Sequence, residues 1–162
     1  MILNHFTSLE YLDAILAEGL TKGYVPLSPT QGENAVWFTT SMDAEEHGLT
    51  DGHVLTLEER EAHQRCFGRP LPESARYPDK RRVRISVVIP SSDRNLRPWL
   101  PWARKRLTTD WLAALSASGG GKVKARTWYI YHAVVPAASF RSVMVRDEAG
   151  VYKPHASQMV VP

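Results

Sequence analysis

Two short runs near the start of the chain carry the side chains best suited to chemistry: His5-Phe6-Thr7, and Val36-Trp37-Phe38-Thr39-Thr40-Ser41. A neutral imidazole both donates and accepts hydrogen bonds, hydroxyls do the same, and an aromatic face stacks on a planar ring. Placed by a strand–helix–strand opening, such groups could hold a nucleotide. The same residues also suit a core, with His5 satisfied at a strand end and both rings packed. Because strand side chains alternate, only one of Trp37 and Phe38 can face a cleft.

Other chemistries have less behind them. There is no GxSxG elbow, no HExxH and no dinucleotide fingerprint, and Gly119-Gly120-Gly121 lacks the following GK[ST] of a phosphate-binding loop. Of His47, His53, His63 and Cys66, only His63 and Cys66 are closely spaced, and no second pair completes a metal site. No metal is expected. Cys66 is the only cysteine, which rules out an intrachain disulfide.

The elements that must position these residues follow from capping and periodicity. Thr7 and Glu10 stand at capping-box spacing, predicting a helix whose stripe is Leu9, Leu12, Ile15, Leu16 and Leu20, ended by Gly19. Ala35 to Thr40 reads as the second strand. Ser41 to Gly48 reads as a short helix capped by Ser41, and Thr56 with Glu59 opens another helix through about Cys66. Gly68, Pro70, Pro72 and Pro78 make 68–79 a loop. Val83 to Ile89 is a central strand stopped by Pro90, and 90–106 is a proline- and arginine-rich connection. A helix over Asp110 to Ala117 precedes a flexible triple-glycine loop, then strands at Trp128 to Val135, Arg141 to Arg146 and Gln158 to Val161. Strands segregate in the second half, so the expected class is α+β in one domain over 1–162, with two small packed sheets and peripheral helices.

At 162 residues with 43% hydrophobic and 23% charged residues, the composition is that of a globular domain. No run is long enough to span a membrane and the N-terminus lacks signal-peptide order, so a cytoplasmic location without membrane association is expected. The net charge of +3 hides a polarity. Residues 1–63 carry two cations against eleven carboxylates, a balance of −9, while 80–106 carry nine cations against Asp93 alone, a balance of +8. Either the basic segment meets a polyanion or the acidic segment neutralises it. Trp99-Leu100-Pro101-Trp102 followed by Arg104-Lys105-Arg106 interleaves rings with cations, as a single-stranded nucleic-acid platform does, and as a loop folded over a core also does.

The run His5-Phe6-Thr7-Ser8-Leu9, then Ile15-Leu16-Ala17-Glu18-Gly19-Leu20, then Val36 to Ser41 resembles the N-terminal half of the ADP-ribosyltransferase-like fold, in particular its small bacterial DNA-targeting and rifamycin-modifying members. The resemblance is specific over residues 3–41 and loose elsewhere. It implies two small sheets around a nucleotide cleft and transfer of ADP-ribose from NAD, the substrate, to a nucleic acid, a protein or a small molecule. By it, His5 holds a ribose with Thr7 in support, and Phe38 or Trp37, beside Thr39, packs on nicotinamide. An arginine holds the pyrophosphate, for which Arg84 on its strand is the best placed.

The family's acid is where the chain departs from the pattern. Gln158 sits in a similar local context without a charge, Glu148 falls in a turn-like stretch, and Asp93 resembles the aspartate placement of the rifamycin-modifying members. Asp93, then Glu148, are the candidate catalytic acids; Asp93 by itself reads first as a turn aspartate. The alternative is a non-catalytic module that keeps the fold without the acid and engages a nucleic acid or protein through residues 80–106.

Overall fold

The structure, a computed structural model, describes residues 1–155. Its main feature is a seven-stranded antiparallel sheet built from β1 (Ile2–Thr7), β4 (Val36–Thr39), β5 (Val83–Val88), β6 (Leu96–Pro98), β7 (Trp128–Tyr131), β8 (Phe140–Arg146) and β9 (Tyr152–Pro154). The spatial order is β6-β7-β4-β1-β5-β8-β9, and β2 (Val25–Pro26) and β3 (Gly32–Glu33) form a separate hairpin. The class is mixed α+β, as the segregated strands predict. The two small packed sheets are corrected to one large sheet and one small hairpin.

The large sheet is nevertheless joined weakly at its middle. From Ile2↔Val88 to Thr7↔Val83, β1 pairs continuously with β5, whereas it registers with β4 only at Asn4↔Thr39. Side chains stitch this seam. The Asn4 amide donates to the Ser41 carbonyl at 3.0 Å and its oxygen accepts from the Ser86 hydroxyl at 2.7 Å, while His5 Nδ1 bonds the Trp37 carbonyl at 2.9 Å.

The core divides in the same way. One cluster holds Leu3, Phe38, Ile85 and Val143 with Leu12 and Leu20 from the first helical region. The other packs Val25 and Ile130 with Trp99, Trp102 and Ala103 of α3 (Trp99–Ala103) and Ala125 of α5 (Gly121–Ala125). Both indoles of the Trp99–Trp102 segment are therefore core. Of the triple glycine, Gly121 opens α5 and the stretch is not simply a loop.

The first helix starts later than the Thr7–Glu10 spacing predicts. Thr7 stays in the ladder opposite Val83, so the chain turns only at Ser8, passes through a 3-10 turn at Leu9–Tyr11 and enters α1 (Leu12–Glu18) without a side-chain cap. The strand's hydrogen bonds outcompete the cap. Gly19 does end the helix at φ +83, where a Cβ would lie 2.4 Å from the Val135 carbonyl oxygen. Leu20 and Val135 exchange backbone bonds of 2.9 and 3.1 Å, which pins this turn to the body.

Ser41 to Gly48 is not helical. Ser41 Oγ and Asp43 Oδ1 accept from the backbone two residues on, at 3.2 and 3.0 Å, and these local turns compete with helix formation. The Thr56–Glu59 capping box is present and opens α2 (Leu57–Phe67). This helix buries none of its residues, leaving Leu57 and Phe67 64% and 72% exposed. It belongs to an excursion closed at its base by Lys80 N–H donating to the Thr50 carbonyl at 2.9 Å and by bridges Asp51↔Asp79 and Val54↔Arg76. The helix expected over Asp110 to Ala117 is α4 (Thr109–Ser118), capped by Thr108. The strand expected at Gln158 to Val161 lies outside the described residues.

Candidate functional site

A cavity of about 990 Å³ opens at the seam between β1 and β4. Its lining draws on both faces of the sheet: His5, Thr7 and Phe38 on the side of α1, and Trp37, Thr39 and Trp128 on the other. The two runs singled out in the sequence thus meet around one space. Its size is at the upper end of the ~300–1,000 Å³ typical of ligand sites.

His5 is fixed in a useful form. A carbonyl can only accept, so Nδ1 carries the proton given to Trp37, and Nε2 keeps a lone pair with no partner among the described residues. Burial holds the imidazole below the ordinary histidine value; the Trp37 bond opposes this and the charge of Lys80 adds to it. His5 is accordingly a neutral acceptor. The Thr7 hydroxyl, on the same face, also has no hydrogen-bond partner among the described residues.

Both aromatics line the cavity, and Trp37 is the more open of the two. Phe38 is 2% exposed within the core and meets His5 edge-on at 6.0 Å, whereas half-buried Trp37 presents more of its ring. Trp37 is steadied by its indole N–H donating to the Tyr24 carbonyl at 2.9 Å and by Trp99 and Trp128 at 4.7 and 5.6 Å. The Thr39 hydroxyl is occupied, paired with Thr127 Oγ1 at 2.8 Å and accepting from Ser41 N–H at 3.0 Å. It supports the wall more than it offers a ligand contact.

The remaining expected residues lie elsewhere. Arg84 does not line the cavity: its guanidinium donates to the Met42 carbonyl at 2.7 Å and lies 4.6 Å over Tyr152, whose hydroxyl burial pushes up to about 12. Asp93 borders a separate cavity of about 210 Å³. It accepts from Asn95 N–H at 2.8 Å and the Tyr131 hydroxyl at 3.2 Å, as a turn aspartate does. Glu148 is exposed in the turn between β8 and β9. Neither acid joins His5.

No protein-family model, curated protein or solved structure matches this chain.

The cavity also brings in groups that sequence reading did not select: Tyr11, Glu18, Lys22, Tyr24 and Lys80. Lys80 hides at the start of a run of arginines, and nothing local distinguishes Glu18 or Lys22 from other exposed helix-end charges. His47, weighed only as a metal ligand, is 6% exposed and lines the cavity. Its Nδ1 accepts from the Trp128 indole at 3.0 Å, and burial, then Lys124, hold it below the ordinary histidine value. Among the described residues no group of acids, histidines and cysteine is arranged to hold a metal.

The basic segment separates into two parts. Arg81 reaches Glu45 at 3.1 Å and Asp51 at 3.4 Å, and Arg82 donates to the Arg146 carbonyl at 3.1 Å, so its start is neutralised internally. Arg94, Arg97, Arg104, Lys105 and Arg106 are exposed. With Trp99 0% and Trp102 9% exposed, this stretch has cations without the stacking platform. No helix among the described residues is long and apolar enough to cross a membrane.

Proposed function

We propose that this chain is an NAD-dependent ADP-ribosyltransferase of the ADP-ribosyltransferase-like fold, acting in the cytoplasm. The observation that carries the reading is the convergence of His5, Thr7, Trp37 and Phe38 on one cavity at the seam, with a free acceptor on His5 and a free hydroxyl on Thr7. His5 Nε2 accepts a ribose hydroxyl, Thr7 supplies a second hydrogen bond, and the Trp37 ring gives nicotinamide a planar wall. Lys22 and Lys80, rather than Arg84, bring positive charge to the pyrophosphate.

In the transfer, the bond between the ribose and the nicotinamide nitrogen breaks and its electron pair neutralises the pyridinium. An acceptor lone pair forms the new bond and the acceptor loses its proton. The protein's share is positional and electrostatic: it holds the ribose, excludes water behind an aromatic wall and sets charge around the reacting end. A nucleic acid is the acceptor best matched to the exposed cations between Arg94 and Arg106.

A non-catalytic binding module is the second reading, favoured by the placement of Asp93 and Glu148 away from the cavity. Release of nicotinamide from NAD by the purified protein, with and without single-stranded DNA or RNA, separates the two. Turnover supports the transferase; NAD binding without release supports the module. Absence of both rejects NAD as the ligand.

A further inference from the structure

We propose that His47 latches the aromatic wall of the cavity, holding Trp128 against Trp37 as a neutral imidazole and releasing it as an imidazolium. It is a positioning residue, acting on the wall through Trp128. That Trp37 is a wall for nicotinamide rests on the NAD reading above; the latch itself does not. The count of donors fixes the closed state. An indole N–H can only donate, so the 3.0 Å contact from Trp128 Nε1 requires an unprotonated His47 Nδ1 and puts the ring's one proton on Nε2. That second nitrogen is buried and has no partner among the described residues. Protonation turns Nδ1 into a second donor and sets two N–H groups against each other.

The packing around the pair makes this one bond consequential. The segment carrying His47 and the Trp128 ring are both seated on the junction of α4 and α5: a Cβ on Gly48 would lie 1.9 Å from the Ser118 carbonyl oxygen, and one on Gly119 would lie 1.5 Å from Trp128 Cη2. The bond from Trp128 to His47 closes that arrangement, and Trp128 in turn meets Trp37 edge-on at 5.6 Å. His47, Trp128 and Trp37 all line the cavity, so a freed indole alters its wall directly. Phe6 of β1 stacks on His47 at 6.4 Å and brings no charge. Burial, then Lys124 of α5, oppose protonation, while Asp43 and Glu46 of the ring's own segment favour it. Neither carboxylate forms an ion pair with the ring among the described residues, and Glu46 lies 3.7 Å from Lys124 instead. The latch is therefore closed above the folded value of His47, which lies below about 6.5, and opens as pH falls through it.

The test follows the indole N–H resonances of the ligand-free protein by nitrogen-edited NMR from pH 7.5 downwards, so its failure leaves the NAD reading standing. In the parent, the Trp128 resonance should shift with the same midpoint as the His47 ring protons, below about 6.5. The Trp111 indole, bonded to the Pro26 carbonyl at 3.2 Å, should stay in place and serve as the reference. In His47→Asn, whose side-chain oxygen accepts near the position of Nδ1 without titrating, the Trp128 resonance should keep its bonded position throughout. Trp128→Phe retains a ring but removes the N–H, and should move the His47 midpoint up towards the ordinary histidine value. A Trp128 resonance that ignores the His47 titration, or that still shifts in His47→Asn, overturns the latch. So does an unchanged His47 midpoint in Trp128→Phe, which decides the matter if His47→Asn does not fold. Simultaneous collapse of every indole resonance, Trp111 included, would mark global unfolding and overturn it as well.

Discussion

The two edges of β1 follow different rules. Against β5 six residues pair in unbroken register, and the residues alternating inward there, Leu3, Val83, Ile85 and Val87, are fully buried. Against β4 only Asn4 and Thr39 pair, and side chains of Asn4 and His5 take over the stitching. A continuous ladder satisfies the backbone and leaves its side chains to the core. An interrupted one needs polar side chains to complete it. One of these, His5, has a second nitrogen left over, and on that nitrogen the proposed ligand contact rests.

The contrast is most strongly challenged at Phe38, which lies at the seam but belongs to the core. Phe38→Ala should cost about 3–5 kcal/mol in urea denaturation. A loss well below that would move the ring from the core to the ligand wall. On the other side of the same contrast, His5→Ala should weaken NAD binding by about 1–3 kcal/mol if the free nitrogen holds a ribose as proposed, and should also lower the melting temperature through the lost bond to the Trp37 carbonyl. Unchanged affinity in calorimetric titration would remove His5 from the site.

Acid should erode the seam before the closed edge. His5 and His47 are held below their ordinary value in the fold, whereas the unfolded chain takes up their protons at a pH of about 6.5. Between the folded values and 6.5 the unfolded state binds more protons, so stability is full above this window and falls as pH drops through it. Exposed His53 works in the opposite sense: its hydrogen bond to Asp51, then that to Glu59, raises it, adding stability below about 6.5 that is lost as pH rises through the folded value. Urea midpoints at pH 7.5 and 5.5 should show a net loss at the lower pH, reduced in His5→Gln.

The smallest effect concerns the exposed cations, remote from β1. If a nucleic acid binds them, replacing Arg104, Lys105 and Arg106 by Ala should reduce the slope of log affinity against log salt by about two units, at roughly 0.7–0.9 per lost contact. A salt-insensitive parent would assign the acceptor to proteins or small molecules.

Legibility in the sequence followed how local each determinant is. The capping box at Thr56 and Glu59 acts over four residues and is formed, as are the strand at Val83 and the helix break at Gly19, while the strand begun at Trp128 ends at Tyr131 and not at Val135. Thr7 and Glu10 have the same spacing, but Thr7 is held by a strand more than seventy residues away, a competitor that no local pattern reveals. The cavity follows the same division. His5, Thr7 and Trp37 lie in short recognisable runs, while Glu18, Lys22 and Lys80 reach it only because the turn at Gly19 and the base of the excursion are folded against the seam. Trp99 and Trp102 read two ways in the sequence for a related reason: burial depends on what covers a ring, and the cover comes from β2, α5 and β7.

The excursion around α2 divides the molecule in a way its covalent continuity conceals. Strands β1 to β4 precede it and β5 to β9 follow it, yet the β1–β5 ladder at its foot joins the two portions directly. Gln64 to Pro70, at the far end of α2, is exposed throughout or nearly so and touches no core cluster. The peptide bonds at that tip therefore carry little of the tertiary structure. Severed after Phe67, the protein becomes two complementary fragments, each incomplete as a sheet, that are expected to reassemble as a heterodimer with the cavity restored at their junction.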